Sequence, residues 1–564
     1  MSHAPAQELK SGRIKTLGVL AVLIILAGVP RLADLGHEIG CDESAWLHRS
    51  INFVTAVKSG HFEDTCQGPH PGVTVMALSG LSEAAYVGAV LSSEGKKLDD
   101  MPAEDRTYVG FTRHFPRAYF FAKLPVAVLS VACVLAAFFF LRVLVGGLAA
   151  AVAAGLLALE PFLIAHARIA CIDSTFAMLM TCALLSFVCF VKLRRRRYLI
   201  ASAVLAGLTV LTRSAGVVLF PVCAVLYVIA TWTDQGYSWR VWAKALPGMV
   251  REGLQYLAIS AVVFVALFPA MWVAPLKTIG RIGGAVSTNI TADNPKGNPE
   301  FYVAQKFYFK GETVNDPGPS YYGWVLLYRT SPLVLLLACA AAVHLLAFGR
   351  RMEPGARLVQ GAMLIYGIVY IVGMSLISYK QDRWFLPALA ALVIMAGVEL
   401  AVLLSMPAQR LRGALRGAPA LVTSAALLVT GVVTCYPLVQ LQPNYLSYFN
   451  PVFYGPEKVW HDHVVGFGEG LHEAAQYLNG KPGAENLTVA SSTDTAFSPF
   501  FVGRTIELED LQQGRRADYL VLYAHYVQQQ LVPTITNAYY PSRTPECTIT
   551  INGIEYAWIY KIAP

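Results

Sequence analysis

The stretch that decides the fold is Gly40-Cys41-Asp42-Glu43-Ser44-Ala45-Trp46, which follows the first apolar segment of the chain. That segment, residues 16–32, has basic residues before it and no small-x-small cleavage site after it, so we expect an uncleaved first membrane helix. Two adjacent carboxylates then lie about ten residues beyond a membrane surface. Such a pair accepts a proton, binds a cation or is simply solvated, and the rest of the chain decides among these.

Composition indicates a membrane protein. Hydrophobic residues make up 55% of the chain and charged residues only 14%, whereas soluble domains carry about 25% charged residues. This deficit and the repeated apolar runs predict a polytopic α-helical membrane protein. Backbone groups in lipid must be paired within each segment, so the segments are expected to be helices. About eleven are expected, at 16–32, 117–141, 143–163, 169–191, 198–212, 214–232, 254–276, 323–348, 358–378, 384–405 and 419–441.

The distribution of Lys and Arg predicts the orientation. If the N-terminus lies inside, the inner segments hold 18 basic residues, five of them in Lys192–Arg197. The short outer connections hold only Arg168, Arg213, Lys380 and Arg383. Because short inner loops carry the excess of positive charge, we expect a cytoplasmic N-terminus and place the carboxylates of residues 40–46 outside.

Three parts of the chain are predicted to lie outside: the loops 33–116 and 277–322, and the region 442–564. The apolar stretch 73–91 is predicted to lie on the membrane surface, and 277–322 to be an irregular loop. Beyond 442 the pattern predicts a helix at 468–479, strands at 487–490 and 519–523, and a hairpin at 548–556 with an Asn-Gly turn. We therefore divide the chain into a transmembrane module, 1–441, and a small extracytoplasmic α/β domain, 442–564.

Charged residues in or near spanning segments are costly and are functional candidates by default. Asp173 lies early in the fourth segment, where a simple ion pair with Arg168 is the alternative to a functional role. Cations recur near the outer face, at Lys123, Arg168, Arg213, Arg329, Lys380 and Arg383. Their accumulation runs against the positive-inside trend, and an anion is their simplest common partner.

Two classes of function fit an outward cavity with carboxylates and cations. A transporter of an anionic solute or lipid-linked sugar predicts repeated halves and broken helices near the midplane. An enzyme at the outer surface predicts polar residues gathered at one face, with cations that hold the phosphate of a membrane-anchored substrate. The sequence has no evident internal symmetry, and its polar residues cluster at one face, which favours the enzyme.

Several motifs resemble a known family. They are the Asp-Glu pair of the first outer loop, His70-Pro71-Gly72-Val73, Ala167-Arg168 through Asp173, Leu211-Thr212-Arg213, Asp382-Arg383-Trp384-Phe385-Leu386-Pro387, Tyr445 through Pro451 and Gly466-Phe467-Gly468-Glu469-Gly470. In order and position they resemble the GT-C glycosyltransferases, in particular the bacterial branch of glycosyltransferase family 39. That branch includes relatives of protein O-mannosyltransferases and of lipid A aminoarabinose transferases.

The resemblance implies inverting transfer of a sugar from a polyprenyl-phosphate donor to a glycan, lipid or protein acceptor. Asp42 is then the base for the acceptor nucleophile, and Glu43 orients the acceptor or a cation. Lys380 and Arg383 are expected to bind the donor phosphate, with Arg213, Arg168 and Lys123 as further cations. The outer loops are too short for the β-trefoil domain of protein O-mannosyltransferases, which argues against a protein acceptor.

The remaining expectations concern cofactors, partners and location. His70 is expected to bind the acceptor or a metal, or only to close a turn. No cluster has clear metal-ligand spacing, so a divalent cation stays open as a cofactor. The partners expected are the lipid-phosphate donor, the acceptor and membrane lipids, with no nucleic acid, and the location is the bacterial inner membrane. Cys41 and Cys66 share one loop, so a disulfide between them is also open.

Overall fold

The structure is a computed structural model. It describes residues 4–68, 70–97, 100–102, 108–234, 238–291, 307–411 and 418–562.

The described chain up to residue 441 is almost entirely helical. Its helices are α1 (Ala4–Leu32), α2 (Glu43–Ser59), α3 (Val73–Ser93), α4 (Tyr108–His114), α5 (Ala118–Val145), α6 (Gly147–Leu159), α7 (Pro161–Ala167), α8 (Ile172–Leu193), α9 (Arg196–Thr212), α10 (Leu219–Asp234), α11 (Trp239–Leu267), α12 (Ala270–Val273), α13 (Pro275–Thr291), α14 (Tyr321–Arg329), α15 (Pro332–Phe348), α16 (Pro354–Ser375), α17 (Leu386–Leu411) and α18 (Ala418–Leu441). A short hairpin, β1 (Phe307–Phe309) and β2 (Glu312–Val314), precedes α14.

The predicted polytopic helical architecture is confirmed. Among the described residues, nine helices are long and apolar enough to cross a membrane, and a tenth span is present if α6 and α7, bent by 62°, count as one. Each of the eleven predicted apolar segments is helical over most of its length, but 143–163, 254–276 and 323–348 each run across more than one helix. Two of these are shorter than a full span: the apolar part of α1, Thr16–Leu32, and α9, which has 17 residues.

Helix α8 is the centre of the bundle. Its residues from Ile172 to Val191 are all buried, and it packs against α5, α9 and α17. A helix that is apolar on all sides can be enclosed by other helices or by lipid, and α8 is enclosed by its neighbours. Neighbouring helices also approach closely: a Cβ on Gly397 of α17 would lie 2.3 Å from the Cα of Ala153 in α6. Small residues permit such close helix contacts in membranes.

Two local expectations need correction. The eighth apolar segment, 323–348, is divided into α14 and α15, because Pro332 has no N–H to continue a helix and is favoured in a first turn. The loop 277–322 is not wholly irregular, since α13 and the hairpin lie within or overlap it. The missed signal is the helical spacing of Leu276, Ile279 and Val286, which are all exposed. Residues 292–306 of this loop lie outside the described chain.

Helix α3 was predicted to lie on the membrane surface. It has 21 residues and, by length and composition, passes as a spanning helix. Its placement relative to the lipid therefore stays a prediction.

A five-stranded mixed sheet lies in the C-terminal part of the chain. Its elements are α19 (Pro456–Asp462), α20 (Leu471–Asn479), β3 (Thr488–Ser491), α21 (Asp494–Phe497), β4 (Arg504–Glu507), α22 (Leu508–Gln512), β5 (Tyr519–Tyr523), α23 (Ala524–Gln528), α24 (Pro533–Tyr539), β6 (Cys547–Ile551) and β7 (Ile554–Lys561). The strand order is β4-β3-β5-β7-β6, with β3 parallel to both β4 and β5. The predicted hairpin is confirmed as β6 and β7, whose turn residues Asn552 and Gly553 have φ of 53° and 76°, as an Asn-Gly turn requires.

Candidate functional site

Arg168 fixes the chain where it leaves α1. Its guanidinium donates to the backbone carbonyls of Pro30, Ala33 and Asp34 at 2.9, 2.5 and 2.9 Å. Carbonyls at the C-terminal end of a helix have no partner within the helix, so Arg168 satisfies them and sets the path of the loop that follows. It does not form the ion pair with Asp173 that was the alternative to a functional role, because Asp173 pairs with Arg213 and Arg383.

Glu43 and Lys123 form an ion pair behind the loop that carries Asp42. The Nζ of Lys123 lies 2.9 Å from Oε2 of Glu43, and the two side chains are 2% and 0% exposed. The Glu43 carboxylate also accepts hydrogen bonds from the backbone N–H groups of Gly40, at 2.7 Å, and Ala170, at 2.6 Å. Glu43 therefore holds the loop against the start of the fourth predicted segment and is enclosed on all sides.

Asp42, Arg383, Asp173 and Arg213 form a continuous chain of ion pairs. Nη2 of Arg383 lies 2.5 Å from Oδ2 of Asp42, and Nε of Arg383 lies 3.4 Å from Oδ2 of Asp173. Nη1 of Arg213 lies 2.5 Å from the other oxygen of Asp173. The Asp42 side chain is 43% exposed, whereas that of Asp173 is 5% exposed. Of the two carboxylates in this series of ion pairs, Asp42 is therefore the one that is open to solvent.

Four separate elements bring this chain of ion pairs together. Asp42 is the N-cap of α2, and Asp173 lies in the first turn of α8. Arg213 lies between α9 and the turn before α10, where its guanidinium stacks 4.3 Å from the ring of Trp384. Arg383 lies in the short 3₁₀ turn that precedes α17. Paired residues are separated by 40 positions for Asp173 and Arg213 and by 341 for Asp42 and Arg383, and the helix ends bring them together.

A cavity of about 570 Å³ opens beside this chain of ion pairs. Its membrane-side wall includes Asp42, Asp173, Arg213 and Arg383 together with Trp46, Arg49, His70 and Trp384. The guanidinium of Arg49 stacks 5.0 Å from the ring of Trp46 and forms no salt bridge among the described residues. This wall therefore carries three arginines against two aspartates.

A second wall of the cavity comes from the C-terminal sheet. It is formed by Ser491, Ser492, Thr493, Asp494, Thr495, Glu507, Glu509, His525, Tyr526 and Leu531. All of these except Leu531, which follows α23, lie at or just after the C-terminal ends of β3, β4 and β5. In open α/β sheets with parallel strands, ligands bind outside that edge.

The loop Gly466–Gly470 docks the C-terminal region onto the loop that carries Asp42. The backbone N–H of Cys41 donates to the carbonyl of Phe467 at 2.9 Å. Gly468 has φ of 131°, and a Cβ there would lie 2.0 Å from the carbonyl oxygen of Ile39. A side chain at this position is excluded by both conformation and space. The glycine-rich motif therefore lets the two backbones touch and fixes Asp42 relative to the sheet.

Lys380 faces a second, smaller cavity. That cavity is about 160 Å³, is rich in tyrosine and also includes Arg329 and Arg383. Lys380 is paired with Asp316 at 2.6 Å. Arg329 is paired with Asp382 at 2.7 Å and donates to the carbonyls of Leu446 and Tyr448 at 3.0 and 2.8 Å. Arg329 therefore ties α14 to the segment that follows α18.

Two histidines on the large cavity are held neutral. Burial, reinforced by the nearby Arg213, lowers the pKa of His70 to about 3. Burial lowers the pKa of His525 to about 4, although Asp42 opposes the shift. Both lie well below the usual value near 6.5. At neutral pH these side chains therefore offer hydrogen bonds and no charge.

The residues present do not form an evident metal site. Within the described ranges, no group of three or more His, Cys, Asp or Glu side chains is placed to hold a metal ion. The carboxylates of Asp42 and Asp173 both pair with Arg383. A divalent cofactor stays a prediction. Cys41 and Cys66 are not joined by a disulfide.

The structure sorts the sequence-predicted residues into three groups. Asp42, Asp173, Arg213, Arg383 and His70 line the large cavity. Glu43, Lys123 and Arg168 support the loop behind it, and Lys380 lies in the second cavity. Sequence reasoning missed Arg49, Glu507, Glu509 and His525. Of these only Arg49 carried a signal, because it follows Asp42 by seven positions and so lies on the same face of α2.

Residues 111–272 match the family model of dolichyl-phosphate-mannose-protein mannosyltransferases. The resemblance to GT-C membrane glycosyltransferases is confirmed. At the level of the general reaction, the match supports a glycosyltransferase that is an integral membrane protein. No curated protein matches the chain in sequence.

Solved structures with a similar arrangement include two of ArnT from Cupriavidus metallidurans. The apo form has a TM-score of 0.48 at 16% identity and covers 97% of this chain and 98% of its own. The form bound to undecaprenyl phosphate has a TM-score of 0.46 at 16% identity, covering 96% and 97%. The oligosaccharyltransferase AglB from Archaeoglobus fulgidus, with an inhibitory peptide and a dolichol-phosphate, has a TM-score of 0.45 at 15% identity, covering 94% and 73%. These scores lie below 0.5, so no residue role is carried over from them.

Proposed function

We propose that this protein transfers a sugar from a polyprenyl-phosphate donor to an acceptor that enters the large cavity. The observation that carries the proposal is Asp42. Its carboxylate is 43% exposed and lies 2.5 Å from Arg383, in a cavity that holds two further arginines, Arg49 and Arg213. A base and a group of cations in one cavity suit a reaction in which a hydroxyl loses a proton while a phosphate leaves.

The reaction follows from these groups. The acceptor oxygen or nitrogen attacks the anomeric carbon of the donor, and the bond from that carbon to the phosphate oxygen breaks. The electron pair of that bond leaves with the polyprenyl phosphate, while the acceptor proton passes to Asp42. A single displacement inverts the anomeric centre. A positioned base contributes typically 10²–10⁴-fold to the rate, and preorganised cations stabilise the departing phosphate.

The donor phosphate is better matched by Arg49, Arg213 and Arg383 than by Lys380 and Arg168. Arg168 is committed to three backbone carbonyls, and Lys380 lies in the other cavity, paired with Asp316. Arg383 and Arg213 line the large cavity while they share Asp173, and Arg49 lines it without a salt bridge among the described residues. Arginine binds phosphate through two parallel hydrogen bonds. We therefore assign the phosphate to Arg49, Arg213 and Arg383.

The ion pair between Asp42 and Arg383 suits the resting enzyme. A phosphate that binds Arg383 competes with Asp42 for the same guanidinium, and the carboxylate it displaces becomes a better proton acceptor. Donor binding would then activate the base. The family model supports a lipid-phosphate donor, since its description names dolichyl-phosphate mannose.

We also propose that the cavity faces away from the cytoplasm of a bacterial inner membrane. Asp173 lies in the first turn of α8, at the cavity, whereas the basic run that begins at Lys192 lies at the C-terminal end of the helix. A helix of 22 residues spans about 33 Å, so the basic run lies at the other side of the bundle, where the positive-inside rule expects the cytoplasm. Cysteine labelling of intact cells at positions 195 and 500 tests this: label at 195 alone would reverse the orientation.

The function is tested with purified protein and a panel of decaprenyl-phosphate monosaccharides, beginning with the mannose form. Release of decaprenyl phosphate on addition of an envelope extract measures transfer. Asp42→Asn should lower it by at least about a hundredfold. Asp34→Asn is the matched control, because Asp34 accepts a hydrogen bond from Gln442 at 3.0 Å and is not among the cavity residues. Near-normal transfer by Asp42→Asn, with any donor that the wild type uses, would exclude Asp42 as the base.

A further inference from the structure

The large cavity has two walls of different charge. The membrane-side wall carries Arg49, Arg213 and Arg383 against Asp42 and Asp173. The sheet-side wall carries Asp494, Glu507 and Glu509, and no Lys or Arg is among its described residues. Its histidine, His525, is neutral at physiological pH because burial lowers its pKa to about 4. The two substrates of one cavity would therefore meet opposite fields.

The acidic wall is built on the edge of a sheet that commonly binds ligands. Strand β3 lies between β4 and β5 and is parallel to both. The chain passes from β3 to one neighbour and then back to the other, so the connections after β3 and β5 diverge at this edge. Ligands of open α/β sheets bind in such a crevice, outside the carboxyl ends of the strands.

An unused buried hydroxyl also points to a ligand. Thr493 lines the cavity just after β3, and its side chain is 8% exposed. Its Oγ1 has no hydrogen-bond partner among the described residues. Buried polar groups are nearly always hydrogen-bonded, so an exception calls for a partner. A hydroxyl or amine that enters the crevice would supply it.

We propose that the sheet-side wall, defined by Thr493, Asp494, Glu507, Glu509 and His525, binds the acceptor and selects a neutral or cationic polyhydroxylated group. This inference rests on the proposed function. Carboxylates, a neutral imidazole and a hydroxyl accept hydrogen bonds from O–H and N–H groups. An anionic acceptor would face like charges with no cation to meet it on this wall, which is costly. The phosphate of the donor is instead met on the membrane-side wall.

Three monosaccharide probes that share the same sugar ring and differ in charge test whether the sheet-side wall selects by charge. They are glucosamine, whose amine is protonated at mildly acidic pH, glucose and glucose 6-phosphate, titrated into the full-length protein by NMR. Glucosamine should bind more tightly than glucose. Glucose 6-phosphate, measured with decaprenyl phosphate saturating the arginines, should bind most weakly. In the Glu507→Gln/Glu509→Gln double variant the preference for glucosamine over glucose should fall roughly tenfold, since partly exposed ion pairs are worth up to about fivefold each.

Glu485→Gln is the matched control, because Glu485 precedes β3 at the other end of the same strand and is not a cavity residue. It should leave the preference unchanged. The inference is overturned if no probe binds, if glucose 6-phosphate binds as well as glucosamine, or if the double variant behaves like the control. Binding of decaprenyl phosphate to the same samples separates the outcomes. If it binds and the probes fail, only the acceptor assignment falls; if it does not bind, the proposed donor is wrong whatever the probes do.

Discussion

Replacing Arg383 by alanine should weaken donor binding while leaving the protein folded, and replacing Arg329 should do the reverse. The two arginines pair with carboxylates in the same neighbourhood, and their surroundings differ. Arg383 contacts Asp42, which is 43% exposed and can be solvated when the guanidinium is lost. Its other carboxylate, Asp173, keeps Arg213 at 2.5 Å. Arg329 instead holds Asp382 and two buried carbonyls.

These contacts set the expected magnitudes. Removing one partner of a buried ion pair costs about 3–5 kcal/mol, and less here because the Asp382 side chain is 27% exposed. Arg329→Ala also leaves two buried carbonyls without their donor, at about 1–3 kcal/mol each. A partly exposed pair is worth only about 0–1 kcal/mol, so the loss in Arg383→Ala should be much smaller. A lost charge-assisted hydrogen bond to the donor phosphate costs about 1.5–3 kcal/mol, roughly ten- to a hundredfold in affinity.

Thermal unfolding and decaprenyl-phosphate binding, both in detergent, measure the two effects on the same samples. Arg329→Ala should unfold at a lower temperature, and any molecules that remain folded should bind the lipid normally. Arg383→Ala should show the opposite pattern, and Arg383→Lys should not restore binding fully, since an ammonium cannot bridge two acidic groups as the planar fork does. If Arg383→Ala lowers the unfolding temperature as much as Arg329→Ala and binds the lipid normally, Arg383 only anchors α17 and our phosphate assignment is wrong.

Three further outcomes follow from the site. Gly468→Ala should lower activity and should lose on the order of 1–3 kcal/mol of stability through backbone strain, with a further cost from the clash with the Ile39 carbonyl. An unchanged melting temperature and an unchanged transfer rate would contradict the docking of the two loops. Glu43→Gln should destabilise the protein by about 3–5 kcal/mol because Lys123 stays buried without its carboxylate, and a folded variant with slow chemistry would contradict this. Because the pKa of His70 is lowered to about 3, the folded state binds fewer protons than the unfolded state below pH 6.5, and stability falls on acidification. At pH 5 the cost is about 1–2 kcal/mol, so His70→Gln should lose less stability between pH 7 and 5 than the wild type does.

The sequence predicted the helices because lipid leaves the backbone few choices. The backbone of a long apolar run must form its hydrogen bonds within the run, so the positions of the apolar runs were enough to locate the eleven segments. Breaks inside the runs were harder to predict. The division between α14 and α15 depends on one proline and on Arg329 finding partners beyond α18, and no local pattern reports such partners.

The candidate site was predicted in part for a related reason. Asp42, Arg213 and Arg383 stood out because charge next to a membrane is costly. The same signal also selected Glu43, Lys123 and Arg168. The cost of burying their charges is offset because Glu43 pairs with Lys123 and Arg168 binds backbone carbonyls at the end of α1. A charged residue near the membrane is expected to have a role of some kind. Only the distances in the structure distinguish residues that line the cavity from residues that support the loop carrying Asp42.

The sheet-side wall escaped sequence reasoning because its residues are ordinary in their own context. Glu507 and Glu509 are exposed carboxylates near a short helix, a common arrangement on any soluble domain. They become candidates for a binding site only because the loop Gly466–Gly470 holds the sheet next to the loop that carries Asp42, so that all three carboxylates line one cavity. That docking depends on Gly468, whose missing side chain lets the two backbones meet. The glycine-rich motif, which alone predicts little, is therefore the feature that brings the proposed base and phosphate-binding arginines next to the acidic wall that we propose for the acceptor.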